Sequence, residues 1–212
     1  MYSGVWLPSQ KTNNNILILG ESHYEDIESQ GKTASYTTSD VIESYLSGKS
    51  KIKFFSSIAQ SFGYYNSEIK DFYSKVYFGN YVDELCGVGE WNNAKGFIED
   101  NRLKYNEELF KFCNDYNIKF IVCFSILCYN ALPMRESYEI PQEEIYVGKI
   151  GQKPNYIRKF TYRSGKRQDC NVSLNNDLIV YGIRHPSSQS GYSVEQVYQF
   201  FINDKNLDWI IN

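Results

Sequence analysis

Only two histidines occur in the 212-residue chain, His23 and His185, and each stands in a polar cluster directly after an apolar run. The first cluster reads Gly20-Glu21-Ser22-His23-Tyr24 and the second Arg184-His185-Pro186-Ser187-Ser188. An imidazole titrates near neutrality and donates from either ring nitrogen, so two at one edge of a fold suit acid–base or leaving-group chemistry. A third cluster, Gly79-Asn80-Tyr81, adds an amide that offers a donor and an acceptor together. A histidine at a strand end commonly just satisfies a local hydrogen bond. That plain reading is weaker for His185, because Pro-Ser-Ser follows it.

Other chemistries fit the same residues less well. Glu21, Glu25, His23 and His185 could surround a metal, yet there is no H-E-x-x-H pair and no cysteine beside either histidine, so neither metal nor other cofactor is expected. Ser22 lacks the second glycine of a strained nucleophile elbow. No G-x-x-x-x-G-K-[ST] phosphate loop occurs.

Chemistry at three clusters requires elements that bring them together. Short continuous apolar runs at Ile16–Leu19, Ile118–Phe124 and Leu178–Ile183 read as buried strands, and Val76–Val82 adds a β-branched and aromatic one. Helical spacing covers Asp40–Leu46, Ile52–Phe62, Asn101–Tyr116 and Ser193–Ile202, the last opened by Ser193 and Gln196 as a capping box. A loop rich in Ser, Thr and Gly is expected from the first cluster to Ser39. Residues 133–176 turn polar and irregular and read as an insertion carrying a hairpin. Strands alternating with helices in this order predict an α/β fold with a mainly parallel central sheet, in which ligands bind beyond the carboxyl ends of the strands.

The bulk composition bounds the function. The 42% hydrophobic and 22% charged content excludes a disordered polymer and a coiled coil, and the length suits a single domain over 1–212. Cys86, Cys113, Cys123, Cys128 and Cys170 form no C-x-x-C pair and read as buried free thiols. No run is long and apolar enough to span a bilayer, and the first residues lack the pattern of a secretory leader, so a soluble, cytoplasmic protein with no membrane partner is expected. A net charge of −3 does not favour nucleic acid, which therefore needs a local patch. One exists between Tyr156 and Arg167, where Arg158, Lys159, Arg163, Lys166 and Arg167 interleave with Phe160 and Tyr162 and no acid intervenes. Such a hairpin suits phosphates and stacked bases, although a solvated face has the same composition. Lys49, Lys51 and Lys53 form a second cluster, and Arg184 beside His185 is the cation best placed for a phosphate.

An apolar strand ending in Gly20-Glu21-Ser22-His23-Tyr24, an aromatic strand ending at Asn80 and a final strand ending in His185-Pro186-Ser187 together resemble the uracil-DNA glycosylase superfamily. The Leu207-Asp208-Trp209 tail is similar as well. The resemblance implies a three-layer α/β/α sandwich and a monomeric, monofunctional DNA glycosylase that leaves an abasic site. It implies that Gly20, His23 and Tyr24 help form the base pocket, that Tyr24 screens pyrimidine C5, and that Tyr36 stacks on the base. Asn80 would read the base edge, and His185, with Ser187 beside it, would hold the departing anion. The family's water-activating Asp is replaced by Ser22, which would position the water while Glu21 or Glu25 supplies the charge. Its apolar wedge falls on Gln189, with Tyr192 as a substitute. Uracil or another pyrimidine is the implied substrate; a bulky base of phage DNA, such as glucosylated hydroxymethylcytosine, would make the protein a defence factor. A noncatalytic nucleic-acid-binding module and a nucleoside hydrolase are the readings from other classes.

Overall fold

The computed structural model describes residues 5–8, 15–25, 38–88, 94–187 and 191–211, the side chains at 23–25, 85, 87 and 88 excepted. Along the chain the strands are β1 (Ile16–Gly20), β2 (His23–Glu25), β3 (Tyr77–Asn80), β4 (Leu85–Val88), β5 (Phe120–Cys123), β6 (Ile140–Ile150), β7 (Lys153–Tyr162), β8 (Gly165–Arg167), β9 (Cys170–Leu174) and β10 (Leu178–Gly182). The α-helices are α1 (Thr38–Leu46), α2 (Lys53–Gln60), α3 (Ile69–Lys75), α4 (Ala94–Asp115), α5 (Ile126–Ala131) and α6 (Val194–Phe201).

Six strands form the central sheet in the order β3-β1-β5-β10-β7-β6. The four apolar runs of the sequence are its parallel part, because runs buried on both faces need helices above and below. β7 and β6 continue it antiparallel, so the sheet is mixed. The polar segment 133–176 is thus more than an irregular insertion. Its first half is a long ribbon that completes the sheet, and its second half is the β8–β9 hairpin, which Asn114 of α4 anchors by donating to the Ser173 carbonyl at 2.7 Å.

Successive residues of a strand face opposite ways, and that alternation builds the layers. Leu17, Leu19, Ile121, Cys123 and Val180 pack with Leu109 and Phe110 of α4 and Tyr129 of α5. Ile16, Ile18, Phe78, Val122 and Tyr181 pack on the other side with Ile42 of α1, Ile58 of α2, Phe72 of α3 and Phe201 of α6. The result is an α/β sandwich with helices on both faces of the sheet.

Two local expectations are corrected. His23-Tyr24-Glu25 is not loop: it forms β2 and pairs parallel with β4. Ser193 does cap α6, accepting from the Gln196 N–H at 3.3 Å, but Gln196 does not return the bond. Its side chain instead accepts from Asn155 at 3.0 Å and donates to the Lys149 carbonyl at 2.8 Å. Asn155 is buried and its amide needs a partner, so the capping residue is recruited to clamp the β6–β7 ribbon onto α6.

Candidate active site

From β1 the chain goes to β3 on one side and to β5 on the other, so β1 and β5 flank the point where strand order reverses. Ligands of open α/β sheets bind beyond the carboxyl strand ends at such a point. A cavity of about 480 Å³ lies there, lined by Glu21 after β1, Ser125 after β5, Arg184 and His185 after β10, and Tyr156 and Arg158 of β7. That volume suits a small molecule or an extruded nucleotide.

Glu21 is fixed at both ends. The Gly20 and Glu21 carbonyls accept from the Tyr81 and Val82 amides, each at 3.0 Å, tying the end of β1 to the turn after β3. Its carboxylate Oε2 accepts from the Ser125 hydroxyl at 2.6 Å, a short charge-assisted bond. The same Ser125 oxygen accepts from the Cys128 N–H at 3.3 Å and so caps α5. The hydroxyl thus works in both directions, giving its proton to Glu21 and a lone pair to the helix.

His185 stacks on Phe54 of α2 with ring centroids 4.8 Å apart and planes 22° apart. The Ser187 N–H donates to Nδ1 at 3.2 Å, with the Ser187 hydroxyl 2.6 Å from the same nitrogen. A nitrogen accepting a backbone N–H carries no proton, so the neutral ring bears its proton on Nε2. Burial lowers the pKa below the ordinary value of 6.5, and the Glu21 charge pulls the other way. Near neutral pH the imidazole is therefore an uncharged donor, and it shares the cavity wall with Glu21.

The other expected pocket residues are distributed differently. Asn80 is buried, and its amide lies over Gly20 so closely that a Cβ there would sit 2.3 Å from Oδ1. It is not among the residues lining the cavity. Ser22 hydrogen-bonds the Cys86 thiol, which burial pushes up to about 11. The backbone of His23 and Tyr24 belongs to β2, whereas Tyr36 and Gln189 lie outside the described residues.

The basic hairpin does not present one charged face. Arg158 reaches the cavity wall, where its Nε lies 3.1 Å from Glu144 and its Nη1 donates to Asn130 at 3.2 Å. Lys159, the next residue, points to the opposite face and pairs with buried Asp204 at 2.8 Å. Arg163 pairs with Asp177 at 2.7 Å, and Lys166 is exposed. Arg167 is corrected outright: it is fully buried, paired with Glu139 and laid over the Tyr162 ring, where no phosphate reaches it. Tyr192 is likewise held inward, its hydroxyl donating to the Ser57 carbonyl at 3.2 Å and lying 2.5 Å from that of Ser61. Arg184 stands in the cavity wall without an ion pair among the described residues.

Sequence reasoning missed Ser125 and Phe54. Ser125 was findable, since it follows a predicted parallel strand at the order reversal. Phe54 carried no signal, because one aromatic in an amphipathic helix reads as core. All five cysteines are buried free thiols. Among the described residues no group of three or more His, Cys, Asp and Glu side chains converges as a metal site, and no helix is long and apolar enough to cross a membrane. Compared with known families and with curated proteins, the sequence matches none.

Proposed function

We propose that this protein is a monofunctional DNA glycosylase with a uracil-DNA glycosylase-like fold, hydrolysing the N-glycosidic bond of a pyrimidine nucleotide extruded into the cavity. The observation that carries the reading is that Glu21 and His185, from strand ends far apart in sequence, line one cavity at the order reversal of the sheet. The resemblance of Gly20-Glu21-Ser22-His23-Tyr24 and His185-Pro186-Ser187 to the family motifs supports it.

Cleavage of a glycosidic bond builds positive charge on the sugar and negative charge on the base. The Glu21 carboxylate suits the first: it stabilises the cationic sugar and accepts a proton from the water that bonds to C1′. The Nε2–H of neutral His185 suits the second, donating to the base oxygen as the bonding pair leaves with the base. A fixed donor of this kind is worth about a hundredfold or more in rate. Ser125 orients Glu21, and Arg184 serves a flanking phosphate.

The test is base release from oligonucleotides carrying uracil or a pyrimidine with a bulky C5 substituent, read as alkali-labile abasic sites. Release from uracil DNA alone identifies a repair-type activity, and release from the C5-modified DNA alone a defence-type one. No release from either overturns the proposal and leaves a binding module.

A further inference from the structure

Toward its tip the β6–β7 ribbon is covered on one face and bare on the other, whereas nearer the body of the sheet the second face buries Phe160 and Tyr162. Toward α6 it buries Ile157 and Asn155, clamped by Gln196. The opposite face carries the cross-strand pairs Glu144–Arg158 and Tyr146–Tyr156. Tyr146 is 54% and Tyr156 39% exposed, unusual for rings that could have packed, and they meet edge to face with centroids 5.8 Å apart. Tyr156 is also a wall of the cavity, so the aromatic ledge runs continuously from the proposed site. Exposed Lys149, opposite Pro154 on the ledge side, sits beyond the ledge toward the ribbon's tip, while Arg158 and Arg184 stand at its cavity end.

Aromatic rings between cations form a stacking platform with flanking phosphate contacts, the arrangement that suits unpaired nucleotides. In a duplex each base is already stacked on both sides and offers no free face to a side chain. We propose that the Tyr146–Tyr156 ledge binds the nucleotides next to the one in the cavity, and that the preferred partner is single-stranded DNA. The proposal rests on the glycosylase reading for what occupies the cavity, but the ledge itself is tested by binding alone.

The probes are fluorescein-labelled dT12 and the dT12·dA12 duplex, followed by anisotropy with the full chain, neither containing an excisable base. Wild type should bind dT12 more tightly than the duplex. Tyr146→Ala should weaken dT12 binding about tenfold, as expected for loss of one stacked base, and change duplex binding less than threefold. Tyr146→Phe, which keeps the ring, should bind as wild type, and an unchanged circular-dichroism melt for both variants excludes misfolding. No binding of dT12 by wild type, equal binding of the two probes, or wild-type affinity in Tyr146→Ala would overturn the ledge. Ledge-dependent binding without base release from any substrate would retain the ledge and refute the glycosylase. Base release unaffected by Tyr146→Ala, with unchanged dT12 affinity, would do the reverse.

Discussion

Ser125 donates its hydroxyl proton to Glu21 across the seam between β5 and β1, joining residues 104 positions apart by a 2.6 Å bond. The carboxylate at the cavity is therefore held by a side chain that also caps α5. Orientation of the proposed catalytic carboxylate and the start of a helix depend on one oxygen atom.

Ser125→Ala should accordingly have two separable effects. Loss of the cap costs about 1 kcal/mol of stability, seen as a small drop in Tm. Release of Glu21 should lower the rate of base release about tenfold, with DNA affinity within a factor of two. Ser125→Thr keeps the hydroxyl and should recover most of the rate.

The imidazole of His185 should titrate below 6.5, since burial outweighs the attraction of Glu21. With only two histidines, NMR resolves its titration directly. Glu21→Gln removes the one charge that raises the value, so the midpoint should fall further. The sign for stability follows from the depressed pKa. His185 contributes stability fully present above about 6.5, and this is lost as pH falls toward the lower folded-state value, because the unfolded chain takes up the proton first. His185→Gln should flatten that part of the stability profile. An unchanged His185 midpoint in Glu21→Gln would mean the two groups do not face each other.

Two arginines expected to bind DNA should behave in opposite ways. Arg167→Met leaves Glu139 as a buried, unpaired charge, which costs about 3–5 kcal/mol and lowers Tm by roughly 10 °C. DNA affinity of the folded fraction should not change. Arg184→Ala should leave Tm alone, weaken DNA binding and reduce the salt slope by about one.

Gly20→Ala should be poorly tolerated, because the new Cβ falls 2.3 Å from Oδ1 of Asn80 and must displace the amide. A cost of about 1–3 kcal/mol is expected for such overpacking. Pairing it with Asn80→Ala should recover most of the lost stability, since the obstructing atoms are gone.

What the sequence made legible follows from burial. Ile16–Leu19, Ile118–Phe124 and Leu178–Ile183 had to be strands in a covered sheet because they are apolar on both faces, and their ends located Glu21 and His185. The segment of the β6–β7 ribbon read only as part of a hairpin-bearing insertion and not as two strands of the central sheet, because half-buried Ile145 and Val147 and buried Ile157 alternate with charged and aromatic residues, which dilutes the apolar signal. The charge run from Arg158 to Arg167 misled for a related reason. Strand alternation sends Arg158 and Lys159 to opposite faces, and the turn into β8 buries Arg167, so adjacency in sequence did not make a patch. Gln196 shows the same limit at one residue: its position after Ser193 suits a capping box, but the buried amide of Asn155 claims its side chain.

Single-turnover base release from an oligonucleotide carrying uracil or the C5-modified pyrimidine, measured for wild type, Glu21→Gln and His185→Ala with DNA affinity in parallel, isolates the chemical roles of the two cavity groups. Wild type should generate abasic sites in at least one of the two. Each variant should be slower by about a hundredfold or more, with Kd within threefold of wild type. Glu21→Gln or His185→Ala releasing base as fast as wild type would mean that this pair does not perform the cleavage.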